Sequence, residues 1–290
     1  MMKKWLVIIV PAVVAAWWLF APPAVPDGRI PTSDAAIERG AYLVRAGGCI
    51  SCHRAGEDDA ALSGGRGLET PFGTIYASNI TPDKETGIGD WNGRDFLRAL
   101  RHGRRPGGGF YYPAFPYRAY AGLNDDEVLA IAAWLKAQPP VSAESPGHEL
   151  PWWLMRWQMA VWNRLAQLRA PEQPQFDDPQ IARGARLARY LGHCGECHTP
   201  RNSLGMLQHD WPYAGAELGD DRVPAIDTEA LADWSEDDFD SFLFLGLKPD
   251  GEFVGGDMGE VIEHTTSRLN EADREAMAAY FIRGRTHQDR

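Results

Sequence analysis

The run Cys49-Ile50-Ser51-Cys52-His53 recurs once, as Cys194-Gly195-Glu196-Cys197-His198, and the two runs use all four cysteines of the 290-residue chain. Few folds tolerate this pattern without using it. Two thiols three positions apart can each form a thioether with one of the two vinyl groups of a porphyrin. The imidazole that follows then lies under the iron as a proximal ligand. Zinc sites and disulfides are the competing uses of paired cysteines. A zinc site would have to join pairs 145 positions apart (49 to 194), and neither use explains a histidine after each pair. The sequence therefore predicts two covalently bound haem c groups, attached at Cys49, Cys52, Cys194 and Cys197, with His53 and His198 on the irons.

The chain carries 29 Lys+Arg against 40 Asp+Glu, a formal −11. That balance argues against nucleic acid and for a basic or mixed-charge protein partner, with solubility the simpler use of the same charge. A hydrophobic content of 44% and 11 tryptophans fit a packed globular protein with room for two domains.

Residues 1–27 read as a signal or membrane anchor. Lys3 and Lys4 precede Trp5 to Phe20, a stretch without charge, and the apolar run extends to Val25. It is long for a signal core and near the lower limit for a spanning helix. Pro22 and Pro23 stand where cleavage would fall, and Trp17 and Trp18 suit a membrane interface. The expectation is a retained N-terminal transmembrane helix in a bacterial inner membrane, with the haem domains in the periplasm.

After a Pro-rich connector the chain repeats itself. Ile37-Glu38-Arg39-Gly40-Ala41 is answered by Ile181-Ala182-Arg183-Gly184-Ala185. Trp91-Asn92-Gly93-Arg94-Asp95-Phe96 is answered by Trp234-Ser235-Glu236-Asp237-Asp238-Phe239, and Leu123-Asn124 by Leu269-Asn270. Ser33 or Asp34 can cap a first helix. Asn92, Asn124, Ser235 and Asn270 each precede an acidic residue three positions on, as in a capping box. Val128, Ile131 and Leu135, like Met277, Tyr280 and Phe281, give the last helices apolar faces. Gly40 and Gly184 would let first and last helices cross closely, with Trp134 and Tyr280 in equivalent places. The order predicts an all-α chain of two tandem class I cytochrome c domains, over 34–140 and 179–285. Between them, 141–178 holds a Trp-rich helix, Pro151 to Leu168, expected to pack between the domains or over a haem edge, or to lie on a membrane surface, before a Pro-rich linker.

A Met sulfur is the usual second ligand in such domains. Met258 lies 12 residues after Gly246, among Gly255, Gly256 and Gly259, and is the expected metal ligand of the second haem; Met206 is the runner-up. At the matching place after Gly103 stands Phe115, which cannot bind iron. Several outcomes stay open for the first haem: a five-coordinate or water-bound iron, His102, a Tyr or Lys84, or a group from the other half or a partner.

Thr70-Pro71-Phe72-Gly73-Thr74-Ile75-Tyr76, Ser78-Asn79-Ile80-Thr81-Pro82-Asp83 and Gly192-His193-Cys194-Gly195-Glu196-Cys197-His198-Thr199-Pro200-Arg201-Asn202 resemble the cytochrome c subunits of membrane-bound alcohol and gluconate dehydrogenases. The likeness runs roughly from Ala35 to Arg283 and implies single-electron transfer from a periplasmic or membrane dehydrogenase to a cytochrome, an oxidase or another respiratory acceptor. It also implies Met258 as ligand. The chain departs from the family in showing two haem motifs where three are typical, and in Phe115 where Met is usual. Arg201 and Pro200 are candidates to support the haem from the second sphere. Phe115 also motivates an alternative, a haem enzyme whose open first haem acts on a peroxide or sulfur oxyanion.

Overall fold

The computed structural model describes residue 14 and residues 17–56, 60–170, 174–218 and 221–284. Its first half runs α1 (Asp34–Ala46), α2 (Cys49–Cys52), β1 (Gly67–Thr70), β2 (Gly73–Tyr76), α3 (Gly93–His102), α4 (Tyr117–Tyr120) and α5 (Asp125–Lys136). A connecting helix, α6 (Gln158–Leu168), follows. The second half runs α7 (Pro179–Arg186), a π-helical turn Leu187–Leu191, α8 (Gly195–His198), β3 (Ala216–Leu218), β4 (Asp221–Val223), α9 (Glu236–Leu245), α10 (Gly256–His264), a 3-10 turn Thr266–Arg268 and α11 (Glu271–Ala279).

Local chemistry sets the helix ends. Ser33 caps α1, accepting from the Ala36 amide. Asn92 with Asp95, Asn124 with Glu127 and Ser235 with Asp238 form complete capping boxes. At α11 only half the box forms, because the Asp273 carboxylate is taken by Tyr42 and Arg183 instead. Gly103 and Gly246 end α3 and α9 in the left-handed conformation.

First and last helices cross on glycine in both halves. A Cβ at Gly40 would run into the Ala130 carbonyl and stand 2.8 Å from Trp134 Cβ. A Cβ at Gly184 would run into the Ala276 carbonyl and stand 2.9 Å from Tyr280 Cβ. The closeness lets Val44, Val128, Ile131 and Leu135, and then Ala188, Met277, Tyr280 and Phe281, close the core.

The halves meet along a seam with matched polar contacts. Asp273, 1% exposed, accepts from Tyr42 and Arg183; Glu127, at the corresponding third position of α5, accepts from Arg186 across the seam. Arg186 also donates to the Gly122 carbonyl at 3.0 Å.

Two expectations need correction. The chain is not all-α: two antiparallel two-stranded hairpins are present, registered Gly67↔Tyr76 and Ala216↔Val223. In the first, Pro71 and Gly73, at φ +118, turn the chain, and Thr70 Oγ1 accepts from the Phe72 amide at 3.1 Å. Thr74, Ile75 and Tyr76 suit the strand that follows. Nor is the N-terminal transmembrane helix supported, since no helix among the described residues is long and apolar enough to cross a membrane. Residues 17–20 form one helical turn docked on the first half. Leu19 joins the cluster of Phe110, Tyr112, Met159 and Ala160, and arginines occupy the turn's carbonyls: Arg164 at Trp18 (2.6 Å) and Arg104 at Ala21 (2.9 Å). Residues 1–13, 15 and 16, most of the expected span, lie outside the described residues.

The connecting helix starts at Gln158 rather than Pro151, after turns in which Gln158 Oε1 accepts from the Met155 amide at 2.7 Å. It joins the halves: Asn163 accepts from Tyr117 at 2.9 Å and Trp162 Nε1 donates to the Leu204 carbonyl at 2.8 Å.

Candidate haem-binding site

Each Cys-x-x-Cys-His run folds as a helical turn whose histidine ring meets a backbone carbonyl 25 or 26 positions further along the chain. Gly48, at φ 63, starts the first turn, and the His53 amide closes it on the Cys49 carbonyl at 3.0 Å. His53 Nδ1 lies 2.6 Å from the Ser78 carbonyl oxygen. A carbonyl only accepts, so Nδ1 carries the proton and the Nε2 lone pair is the one offered to a metal. The second half repeats this: His198 Nδ1 donates to the Pro224 carbonyl at 2.8 Å. Burial pushes both imidazoles below their ordinary pKa, which keeps the rings neutral, as a metal ligand must be.

Burial pushes the Cys49 and Cys194 thiols up to about 12, whereas Cys197 is the exposed one of the four. Among the described residues no three His, Cys, Asp or Glu side chains gather as a metal-holding group. Gly47 and Gly192 hold matching places, since a Cβ on either would stand 3.8 Å from Sγ of Cys49 or Cys194.

Sequence reasoning missed what holds the carbonyls under the histidines. Asn79, 2% exposed, anchors the first: its Nδ2 donates to Thr86 Oγ1 (3.0 Å) and the Val141 carbonyl (2.7 Å), while Oδ1 accepts from Thr81. The signal was present in Ser78-Asn79-Ile80-Thr81, where a buried Asn can brace a loop. In the second half Thr199 Oγ1 accepts from the Tyr213 amide at 3.0 Å, and the Tyr213 carbonyl accepts from the Ile226 amide at 2.9 Å. Arg201 does not reach His198; it braces the motif's own turn through Glu196 Oε2 (2.6 Å), the Glu196 carbonyl (2.9 Å) and the Gly205 carbonyl (2.9 Å).

Met258 lies in the first turn of α10, partly exposed. Met206 is buried and engaged elsewhere, with Arg169 Nη1 3.7 Å from its sulfur. Phe115 packs in an aromatic group, with ring centroids 5.5, 6.1 and 5.9 Å from Tyr111, Tyr117 and Tyr120. His102 ends α3, and burial, then Arg101, Arg104, Arg118 and Arg98, lower its pKa to about 4.

The two attachment turns adjoin. The Gly47 carbonyl accepts from Tyr120 at 2.7 Å and lies 3.4 Å from His193 Nε2; the Tyr120 and His193 rings meet edge to face at 5.5 Å. His193, at φ 40, takes in the second half the left-handed place that Gly48 holds in the first. Residues just before Cys49 thus touch those just before Cys194.

A family model described as cytochrome c matches residues 37–139. A diheme cytochrome c-type protein of Cereibacter sphaeroides is 38% identical over 287 residues, 96% of each chain. The gluconate 2-dehydrogenase cytochrome c subunit of Pantoea cypripedii is 38% identical over 266 residues, 86% of this chain. The alcohol dehydrogenase (quinone) cytochrome c subunit of Gluconobacter oxydans is 36% identical over 263 residues, also 86% of this chain. The chain spans 59% and 54% of the length of those two dehydrogenase subunits. Cytochromes of this kind hold haem c covalently and transfer electrons. The chain belongs to the c-type cytochrome family that includes the diheme cytochrome c of Cereibacter sphaeroides and the cytochrome c subunits of gluconate and alcohol dehydrogenases.

Proposed function

We propose that this chain is a periplasmic dihaem cytochrome c that takes single electrons from a dehydrogenase and passes them to a respiratory acceptor. The observation that carries the reading is the mirrored clamp on His53 and His198, each held through Nδ1 by a backbone carbonyl. Cys49, Cys52, Cys194 and Cys197 would hold the two porphyrins, and Met258 would be the second ligand in the second half. The haem iron, when bound, supplies a one-electron couple whose potential its axial ligands tune over about 0.8 V across proteins. The chain's own contribution is to orient the imidazoles, exclude water with Tyr120, Tyr213 and Phe281, and hold the two attachment turns against each other. The dehydrogenase relatives support a dehydrogenase as donor.

The test is maturation in a cytochrome c-competent host, followed by haem quantitation and acid-acetone extraction. The reading requires two haems per chain that resist extraction. It then requires reduction by a quinone-type alcohol or gluconate dehydrogenase lacking its own cytochrome subunit; one haem per chain, or no reduction, refutes it.

A second reading rests on Phe115. No methionine stands between His53 and Met155, so the first half offers the iron no thioether of its own, as an open site for a peroxide or sulfur-oxyanion substrate would need. Cyanide or carbon monoxide binding with turnover favours it; ligand binding without turnover leaves electron transfer as the function.

A further inference from the structure

Ile262 anchors the helix that carries Met258 in its own half, but the first turn of that helix is loosely held. Its cap, Gly255, makes no side-chain bond, and Gly256 sits at φ +61. Side chains added at Gly255 or Gly256 would meet nothing within 4 Å. A turn of this composition has much conformational freedom to lose when it presents a sulfur at a fixed point.

The ion pairs on that first turn come from the other half. Arg66, in the first half, donates through Nη2 to Asp257 Oδ1 at 3.3 Å and through Nη1 to Glu260. Those carboxylates flank Met258, one position before it and two after. The same guanidinium donates to the Ser51 carbonyl at 3.1 Å, inside the first attachment run. One planar fork therefore ties the first haem's attachment turn to the turn bearing the second haem's methionine.

The geometry points to Arg66 as a positioning residue that holds Met258 on the second iron from across the seam. This rests on the reading of Met258 as that ligand. Arg66 does not touch the reacting atoms; it narrows the positions the α10 turn can take.

The experiment uses the full-length matured protein and reads the weak far-red absorption of thioether-ligated ferric haem, the second haem's midpoint potential, and displacement of the sulfur by added cyanide. One largely exposed and one half-exposed ion pair can shift such an equilibrium by about threefold. Arg66→Gln should therefore raise cyanide affinity at the second haem about threefold, weaken the far-red band and lower the potential. Arg66→Lys should restore part of each, as a point charge cannot span both carboxylates. Asp257→Asn with Glu260→Gln should reproduce the Arg66→Gln result from the opposite side, with no folding change to Arg66's own segment. Rising salt should move wild type toward the variant and leave Arg66→Gln unchanged. Wild-type band, potential and cyanide affinity in Arg66→Gln would overturn the assignment. A wild-type protein without a far-red band, or with one that survives Met258→Ala, would remove the Met258 reading itself and this inference with it.

Discussion

Gly184→Ala and Gly40→Ala make the same perturbation at equivalent crossings. In an open helix interior the change gains about 1 kcal/mol from helix propensity. Here the new methyl meets the Ala276 or Ala130 carbonyl, whereas ordinary van der Waals contact begins at 3.4 Å. The obstacle is backbone, so no rotamer change relieves it. The helices must part by roughly 1 Å, and a gap of that order forfeits a quarter to a half of each dispersion contact it opens. Overpacking of this kind costs about 1–3 kcal/mol, and backbone obstruction puts it at or above the upper end. The net expectation is a loss of about 2 kcal/mol for each variant. At about 2–4 °C per kcal/mol for large domains, that lowers Tm by about 4–8 °C. Urea melts of the matured protein, followed by tryptophan fluorescence and by circular dichroism, measure it. A variant as stable as wild type, or more stable, would show that the crossings are looser than described and refute the reasoning.

Phe115→Met should add a second far-red thioether band and raise the first haem's potential, at a packing cost below about 1.5 kcal/mol; an unchanged spectrum would mean that this position does not face the iron. Asp273→Ala removes a carboxylate that is 1% exposed and accepts from Tyr42, Arg183 and Asn270 Nδ2; Arg183, at 56%, can rehydrate, so the urea-measured loss should be about 3 kcal/mol rather than the upper end for a buried pair. His102, with its pKa lowered from 6.5 to about 4 in the fold, binds its proton more readily once unfolded. Its stability contribution is therefore complete above pH 6.5 and declines as pH falls toward 4, and His102→Gln should flatten that part of a stability-against-pH curve.

The capping residues were legible in the sequence because each depends on short-range spacing, and the repeat and the glycine crossings because matching runs recur about 145 positions apart. Asn92, Asn124 and Ser235 announce helix starts through partners three positions away, and Gly40 and Gly184 mark close approach by their size. The carbonyls of Ser78 and Pro224 were not legible. Any residue supplies a carbonyl, so nothing in side-chain identity marks the one that will meet a histidine 25 or 26 positions earlier. Arg66 was missed for a related reason, since its partners Asp257 and Glu260 lie 191 and 194 positions away in the other half. At the end of the apolar N-terminus, composition does not reveal that Arg104 and Arg164 occupy the carbonyls of Ala21 and Trp18. The hairpins were hidden by their length, four residues and three per strand, too short for an alternating pattern to emerge.

The seam has the character of an isologous dimer written into one polypeptide: Asp273 and Glu127 stand at the same helical position, and each accepts from the opposite copy, Asp273 from Tyr42 and Glu127 from Arg186. In two identical subunits every substitution arrives twice. In this chain Phe115 stands where the other half has Met258, so the two copies are free to diverge at that one place without disturbing the contact between them.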